Sequence, residues 1–322
     1  MPFQLCHVEP LGVTRQSIRT ALANRSIVKL APGVYVAASA VPSQSEQRHV
    51  LRAAAAQLRR REAIASHATA ALAWELPLPD PAAAADGPLQ FTVPPRNGRR
   101  TLVTPDIRVA VRPLPAHHRA QHPCGLFLTV LARTAVDLAE GLDLPDALIV
   151  LDGAARMALI EDVGESNLRR AYKDPRRIAA SRRGLEEAVA TSAVPNARRR
   201  LRRLVALADP RRESALESTS YGHMVVGELP LPMLQEEIET PLGPFYSDFL
   251  WPEIRLIGEA DGMEKLKVTD DIRLQHKRQE WLREDMGYSF VRWLSDEMKS
   301  RPTSVMWRIR AKLAVLGHPR CA

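Results

Sequence analysis

The sequence predicts an α+β protein whose carboxyl-terminal third forms a three-layer α/β/α sandwich around a mixed sheet. After residue 213 the hydrophobic pattern reads as helix, three strands, long helix, strand and helix. Near the amino terminus, a short amphipathic helix precedes two alternating apolar segments. The chain has 322 residues, 45% apolar and 25% charged, which is typical of a protein that buries two or three cores.

Residues 14–36 predict a helix followed by a β-hairpin. Thr14 can cap the helix with its hydroxyl, and Pro32-Gly33 separates the two hairpin strands. The apolar face of the helix consists of Ile18, Ala21 and Leu22. This order suits a winged helix-turn-helix, in which the helix enters the major groove and the hairpin contacts phosphates. The residues expected to contact DNA are Arg15, Gln16, Arg19 and Lys29. A small α/β cap with solvated arginines fits the same pattern.

The middle region predicts mixed structure without an obvious catalytic cluster. Its expected elements are helices 46–61 and 66–74, strand 107–111, and helices 132–140 and 145–157. Three histidines, His117, His118 and His122, lie between Pro115 and Pro123 with no Cys, Asp or Glu beside them to complete a ligand set. We expect loop histidines there, with a metal site as the alternative.

The segment from Asn167 to Arg212 is strongly basic, with few carboxylates to offset its arginines. Arginines at this density on helices suit phosphate contacts, although a solvated surface gives the same pattern. The arginines selected as nucleic-acid ligands are Arg198, Arg199 and Arg202. The whole chain has 45 Lys plus Arg against 37 Asp plus Glu, so nucleic acid is the first candidate partner.

Cysteine content and hydropathy indicate the compartment. Three dispersed cysteines do not form a disulfide framework, and no apolar run approaches the roughly 20 residues of a membrane span. The amino terminus lacks a secretion signal. A cytoplasmic protein with no membrane partner is therefore expected.

The carboxyl-terminal third carries the clearest pattern. Its expected elements are helix 214–226, strands 233–239, 245–250 and 255–258, helix 269–286, strand 288–293 and helix 302–316. The first three strands can form a meander, and the long helix can cross to the fourth strand. The tryptophans expected to fill this core are Trp281, Trp293 and Trp307.

Acidic residues lie on one strand of this sheet and at the end of its neighbour. Asp248 lies on the second strand, and Glu259 and Asp261 lie at the end of the third, so adjacent strands can bring the carboxylates together. Oxygen ligands suit Mg²⁺ or Mn²⁺, which activate water for attack on a phosphodiester. Lys265 can stabilise the negative charge that develops on the phosphate. A simple Asp261-Gly262 turn is the alternative interpretation.

The segment LPLPMLQEEIETPLGPFYSDFLWPEIRLIGEADGMEKL, followed by RLQHKRQEWLREDMGYSFVRW, resembles the Vsr-like branch of the PD-(D/E)XK nuclease superfamily. The resemblance covers about 100 residues and implies a restriction-endonuclease-like fold with a divalent metal held by Asp248 and Glu259. The other catalytic positions that it implies are Asp261, Lys265, Glu217 and Gln235. The chain departs from the pattern after the second acid, where Ala260-Asp261 stands in place of x-Lys, so the lysine has to come from Lys265.

The front half resembles AbiEi-type antitoxins of type IV toxin–antitoxin systems, which begin with a winged helix-turn-helix and repress their own promoters. The matching segments are LGVTRQSIRTALANRSIVKLAPGVYV, ASHATAALAWELPLP and LTVLARTAVDLAEGLDLPDALIVLDGAAR. Within the ART-x-x-D run, Thr134 and Asp137 are expected to tie a helix to the preceding strand, with Arg133 alongside. Such antitoxins usually have another helix and a short strand before the LGV motif, but only ten residues precede Leu11 here. Either that first helix is truncated or the chain starts late.

These observations predict four segments. They are a winged-helix DNA-reading domain at 1–75, an antitoxin-like middle region at 76–165, a basic helical linker at 166–212 and a nuclease-like domain at 213–322. The leading hypothesis is a DNA-binding protein with a Mg²⁺-dependent or Mn²⁺-dependent endonuclease domain. The alternative is a non-enzymatic type IV antitoxin-like regulator with a degenerate nuclease fold, and a third is a plain scaffold. A cognate toxin or a homodimer is an expected partner besides DNA.

Overall fold

The computed structural model describes residues 2–191, 195–261 and 269–319, and the α+β class is confirmed. The chain divides into two compact units. The first comprises Met1–Gly141 with Arg183–Val205, and the second comprises Leu142–Arg182 with Ala206–Ala322. The basic segment 166–212 is divided between the two units, with residues 183–205 in the first and the remainder in the second.

The amino-terminal part of the first unit has the predicted helix and hairpin. Its elements are β1 (Phe3–Gln4), α1 (Leu5–Val8), α2 (Arg15–Ala23), β2 (Ile27–Ala31) and β3 (Val34–Ala37). The three strands form an antiparallel sheet in the order β1-β3-β2. The Thr14 hydroxyl accepts a hydrogen bond from the Ser17 amide at 3.1 Å, so the predicted helix cap is confirmed. Ile18 is buried beneath α2, as its spacing predicts.

The rest of the first unit surrounds a mixed sheet in the order β6-β7-β5-β4-β9-β8. Its next elements are α3 (Ser45–Gln57), β4 (Ile64–Ala65), α4 (His67–Trp74), α5 (Pro81–Asp86), β5 (Leu89–Val93), β6 (Leu102–Val103), β7 (Ile107–Val111), β8 (Arg119–Gln121) and β9 (Phe127–Thr129). The sequence predicted helices α3 and α4 and strand β7. It missed the two- and three-residue strands, which are too short to show an alternating pattern.

Helices then alternate between the units. They are α6 (Leu131–Ala139), α7 (Leu144–Val163), α8 (Leu168–Ala171), α9 (Pro175–Ser181), α10 (Arg183–Ala190) and α11 (Pro195–Leu207). Helices α6 and α10 lie in the first unit, together with α11 up to residue 205, whereas α7, α8 and α9 lie in the second.

The ART-x-x-D run has the structural role expected of it in part. The Thr134 hydroxyl donates to the carbonyl of Thr129 at 3.0 Å, which ties α6 to strand β9. Asp137 instead accepts a hydrogen bond from Arg133 at 2.8 Å inside the same helix. Arg133 also lies 3.3 Å from the ring nitrogen Nδ1 of buried His118. The run is therefore a buried polar network of the first unit.

The second unit contains the predicted carboxyl-terminal series. Its elements are α12 (Ala215–Val226), β10 (Met233–Ile238), β11 (Phe245–Trp251), β12 (Leu256–Asp261), α13 (Thr269–Glu284), β13 (Ser289–Leu294), α14 (Ser295–Ser300) and α15 (Pro302–Val315). The strands form one sheet in the order β10-β11-β12-β13. Pairing is antiparallel from β10 to β12 and parallel between β12 and β13. The meander and the crossover helix are both as predicted.

Two apolar clusters place helices on opposite faces of this sheet, which gives the three predicted layers. One cluster joins α12, α14 and α15 to the sheet through residues such as Met224, Phe249 and Ile309. The other joins α13 to the sheet through Leu282 and Ile257. Both clusters consist of aliphatic and aromatic side chains, so burial of apolar surface stabilises the layers.

The three tryptophans of this region do not all fill the core. Trp293 is buried and Trp281 packs at the edge of the α13 cluster, as expected. Trp307 is 71% exposed, so the prediction for it was wrong. The register of α15 is set by Val305, Met306 and Ile309, which are buried and leave position 307 on the outer face.

The described helices contain no segment long and apolar enough to cross a membrane.

Candidate functional site

One row of polar residues crosses all four strands of the second unit's sheet. Leu234 pairs with Phe249 and Glu236 with Ser247, so Gln235 lies opposite Asp248. Phe249 pairs with Gly258, and the next step of that ladder sets Asp248 opposite Glu259. Glu259 pairs in turn with Arg292 on β13. The row that results is Gln235, Asp248, Glu259 and Arg292.

The structure brings Asp248 and Glu259 together, as the sequence analysis expected. Residues directly opposite each other on antiparallel strands project from one face, with Cβ atoms about 4.5–5.5 Å apart. Both side chains are buried, Asp248 being 7% and Glu259 2% exposed. The Asp248 carboxylate also accepts a hydrogen bond from the Ala260 amide at 2.9 Å, which fixes it across the β11–β12 ladder. Two carboxylates are thereby held in adjacent, fixed positions.

Glu217 joins the row from the first turn of α12. Its carboxylate accepts hydrogen bonds from the Glu213 amide at 3.0 Å and the Ser214 hydroxyl at 2.8 Å. The Gln235 side-chain amide donates to the same carboxylate at 3.2 Å. Glu217 is therefore both held at the amino-terminal end of α12 and a neighbour of the strand residue Gln235.

The electrostatics of Glu217 follow from this position. Burial, and after it the nearby negative charge of Asp248, raise the pKa of its carboxyl group to about 7, although the hydrogen bonds from Glu213 and Ser214 oppose the shift. At neutral pH Glu217 is thus close to half-protonated. Of the acids in this site, it is suited to exchange a proton at that pH.

This shift predicts a pH-dependent stability. The folded protein retains the Glu217 proton between about 4.5 and 7, where the unfolded chain has released it. The free energy of unfolding is therefore expected to fall as pH rises through that window, by an amount on the order of 3 kcal/mol. Urea unfolding at several pH values, compared between the wild type and Glu217→Gln, measures it. The glutamine can keep the contacts because its amide can donate to Ser214.

The matched control for this prediction is Glu280→Gln, which changes an exposed carboxylate on α13. It is expected to follow the wild-type pH profile. Equal pH slopes for the wild type and Glu217→Gln would contradict a raised pKa at position 217.

Arg169 is a cation at this site that the site prediction omitted. It comes from α8, and one of its amino groups donates to the Gln235 side-chain oxygen. Another lies 3.2 Å from the Glu213 carboxylate, and the guanidinium lies 4.4 Å from the ring centre of Tyr246. In the sequence, Arg169 is one member of the basic segment, and its binding partner is not evident. Only the fold shows that it orients Gln235, and through Gln235 the buried Glu217.

Asp261 and Arg292 lie at the other end of the row. The Nε atom of Arg292 is 4.0 Å from the Asp261 carboxylate, and both side chains are about one-third exposed. Arg292 also donates to the side-chain oxygen of Gln279 on α13. Lys265, which was predicted to provide the cation, lies outside the described residues.

The carboxylates of this row offer oxygen ligands for a divalent metal. Mg²⁺ is commonly held by one or two carboxylates, with water completing its shell, and Asp248 and Glu259 offer two adjacent carboxylates of that kind. Within residues 2–191, 195–261 and 269–319, no group of three or more His, Cys, Asp or Glu side chains is arranged to hold a metal. The pair therefore fits a hydrated Mg²⁺ or Mn²⁺ ion but not a fully protein-coordinated ion.

The predicted DNA-contacting residues of the first unit are accessible. Arg15, Gln16 and Arg19 are exposed on α2, and Lys29 is exposed on β2. On α11, Arg199 and Arg202 are exposed and Arg198 is half-buried. The six exposed side chains can reach phosphates, but exposure does not distinguish DNA contact from solvation.

Several other arginines of the basic segment bind the protein itself. Arg200 donates to the carbonyl of Ala139 at 2.9 Å and so caps α6. Arg212 is fully buried against Asp152. These two arginines therefore donate to partners that lie about 60 positions away in sequence.

Two histidines of the middle region contact neighbouring side chains. His118 is buried beside Arg133. The Nδ1 atom of His122 lies 3.0 Å from the Cys124 sulfur.

No family model matches the chain. Two proteins of Mycobacterium tuberculosis are similar to it: uncharacterized protein MT2308 of strain CDC 1551 / Oshkosh and uncharacterized protein Rv2248 of strain ATCC 25618 / H37Rv. Each is 30% identical over 197 residues, which cover 61% of this chain and 65% of the relative. The chain thus spans 65% of the length of these curated relatives. Their names state no activity.

Proposed function

We propose that this protein binds DNA and hydrolyses its phosphodiester bonds with a Mg²⁺ or Mn²⁺ ion at the row of residues in the second unit. The observation that supports this proposal is the position of Asp248 and Glu259 directly beyond the Phe249–Gly258 pair of adjacent strands, with Asp248 bonded to the Ala260 amide and Gln235 bonded to Glu217. Hard oxygen donors, a proton-exchanging acid and a nearby guanidinium are the groups that metal-assisted phosphodiester hydrolysis needs.

Asp248 and Glu259 would hold the ion, with the hydrogen bond from the Ala260 amide keeping Asp248 oriented. When bound, such an ion lowers the pKa of water and neutralises charge on the phosphate. Glu217 is close enough to Asp248 to respond to its charge, and its pKa near 7 suits it to receive or return a proton during the reaction. Gln235 holds the Glu217 carboxylate in place through its side-chain amide.

The first unit would supply the DNA contacts. The α2 helix presents Arg15 and Arg19 on its exposed face, and the β2–β3 hairpin presents Lys29. A helix of this kind can enter the major groove while the hairpin touches the backbone. Each cation that replaces a counterion on a phosphate makes binding more sensitive to salt.

Plasmid cleavage tests the enzymatic proposal. With Mg²⁺ or Mn²⁺ present, the wild type is expected to nick supercoiled plasmid, and the double variant Asp248→Asn with Glu259→Gln is expected to lose at least about 100-fold in rate. The asparagine oxygen can still accept the Ala260 amide, so the fold is retained. Gel electrophoresis of the plasmid forms over time measures the rate.

The control is Glu253→Gln, which changes an exposed carboxylate between β11 and β12. It is expected to nick at the wild-type rate. Equal nicking by the wild type and the double variant would identify a contaminating nuclease and contradict the proposal.

A second candidate function is supported by the donor set of the described residues, in which no group of three or more His, Cys, Asp or Glu side chains is arranged to hold a metal. In this alternative the protein is a non-enzymatic regulator of the type IV antitoxin kind, with a cognate toxin as partner, and the nuclease-like unit serves for docking. A salt-sensitive gel shift of duplex DNA without nicking would favour this alternative. Loss of that shift in Arg15→Ala with Arg19→Ala would locate the binding on α2.

The proposed setting is the cytoplasm. Cys6 and Cys124 are free thiols, and this state is typical of a reducing compartment. A homodimer is the assembly proposed with it, because winged-helix proteins commonly bind paired half-sites.

A further inference from the structure

We propose that Arg292 binds a phosphate of the DNA strand beside Glu259 and thereby provides the cation of the site. This inference rests on the proposed function and adds the residue that recognises the substrate's phosphate. Asp248, Glu259 and Glu217 contribute acidic groups, which repel a polyanionic strand, so binding next to them requires positive charge from the protein as well as from a metal ion.

The register of the sheet puts Arg292 in the required position. It is the direct parallel partner of Glu259 and so extends the row by one strand. Neighbouring strands lie about 4.8 Å apart, so a group bound between the ends of these two side chains contacts both. The side chain is 35% exposed, which leaves its guanidinium within reach of a bound strand.

Contacts within the protein hold the Arg292 guanidinium in place but do not occupy all of its N–H groups with hydrogen bonds. Arg292 donates to Gln279, which is buried on α13. Its Nε atom is closed to water and makes no hydrogen bond to any residue that the structure describes. The nearest carboxylate oxygen recorded for Nε, on Asp261, is 4.0 Å away and beyond hydrogen-bond distance. Nε is therefore shielded from a bound strand, and a ligand would meet the two terminal amino groups, of which Nη2 also donates to Gln279.

The chemistry of the unused donors indicates a phosphate. The planar fork of an arginine matches two oxygens of a phosphate group, and such charge-assisted bonds are stronger than neutral ones. A phosphodiester carries both the charge and the pair of oxygens. The competing explanation is that Arg292 only neutralises Glu259 and Asp261, and it makes a different prediction for DNA affinity.

The test uses the full chain, a fluorescently labelled 16-base-pair duplex and Ca²⁺ in place of Mg²⁺ to suppress cleavage. Arg292→Gln is expected to weaken duplex binding about tenfold and to reduce the slope of log affinity against log salt by about one. Arg292→Lys is expected to keep the salt slope and to recover part of the affinity, because it keeps the charge and loses the fork. Thermal unfolding of each variant checks that the fold is intact.

Arg283→Gln is the matched control. Arg283 is exposed and its guanidinium lies 4.7 Å from the ring centre of Phe290, whereas that of Arg292 lies 5.9 Å from the same ring. The control therefore removes the same charge from nearby without touching the row. It is expected to leave affinity within about twofold of the wild type.

The outcomes separate this inference from the proposed function. Unchanged affinity and salt slope in Arg292→Gln, with a wild type that binds and nicks DNA, would overturn the phosphate role alone. If the wild type binds DNA but does not nick it, a tenfold loss of duplex affinity in Arg292→Gln would support the phosphate role and contradict hydrolysis. Equal losses of duplex affinity in Arg283→Gln and Arg292→Gln would overturn the phosphate role, because they would show that only the overall positive charge matters. A wild type that binds no duplex would overturn both proposals.

Discussion

Replacing Arg212 with methionine is expected to lower the free energy of unfolding by about 3–5 kcal/mol. Arg212 donates to both carboxylate oxygens of Asp152, at 2.6 and 2.7 Å, and the two side chains are 1% and 0% exposed. The variant would leave Asp152 buried without its countercharge, and a buried unpaired carboxylate is strongly unfavourable. Urea or thermal unfolding at pH 7 measures the loss.

The neighbouring Arg211 is the control for this prediction. It pairs with Asp209 at 2.8 Å, but its side chain is 29% exposed. Solvent screening makes such a pair worth about 0–1 kcal/mol, so Arg211→Met is expected to change stability little. A double variant, Asp152→Leu with Arg212→Met, is expected to regain much of the lost stability because an apolar pair leaves no buried charge. Similar losses for Arg211→Met and Arg212→Met would contradict the buried-pair argument.

The Asp152–Arg212 pair also bears on the candidate site. Arg212 immediately precedes Glu213 and Ser214, whose amide and hydroxyl hold the Glu217 carboxylate. The pair therefore anchors the start of α12 to α7, which carries Asp152. We infer that this buried ion pair fixes the helix end from which Glu217 reaches the row.

Gly222→Val is expected to lower the free energy of unfolding by about 3 kcal/mol or more. A Cβ atom at Gly222 would lie 2.5 Å from the Cα of Pro145, which is backbone and cannot rotate away. Helices α7 and α12 would have to separate, which breaks the packing between them. The intrinsic helix preference of a β-branched residue over glycine is worth less than 1 kcal/mol and does not offset this clash. Thermal and urea unfolding of the variant measure the effect.

Gly141→Ala is the control for the glycine prediction. An added Cβ there would have only the Leu138 carbonyl within 4 Å, at 3.9 Å, which is ordinary contact. Stability is expected to stay within about 0.5 kcal/mol of the wild type. A Gly222→Val protein as stable as Gly141→Ala would contradict this prediction, because it would show that α7 and α12 can separate without loss of stability.

Many elements of this fold could be predicted because their signals are local. The hydroxyl of Thr14 caps α2, and Pro32-Gly33 turns the hairpin, as short-range chemistry requires. In the second unit, the period of apolar residues predicted α12, the meander and α15 within a few positions. The acidic pair was also predictable, since two strands joined by a short connection become antiparallel neighbours.

The remaining features depend on partners that are distant in sequence. The role of Arg212 depends on Asp152, and that of Arg169 on Gln235, 66 residues further along the chain. Nothing in the local pattern of a basic segment separates a buried arginine from a solvated one. The exposure of Trp307 likewise depends on which face of α15 meets the sheet.

The sequence by itself determined many of the elements, the α+β class and the identity of the acids that lie near each other, because periodicity, capping and turn chemistry act over a few residues. Only the tertiary structure decided that Arg292 extends the acidic row, that Arg169 approaches Gln235 and that the basic segment is divided between two units. Strand register and helix packing decide these contacts, and both follow from burial across the whole chain.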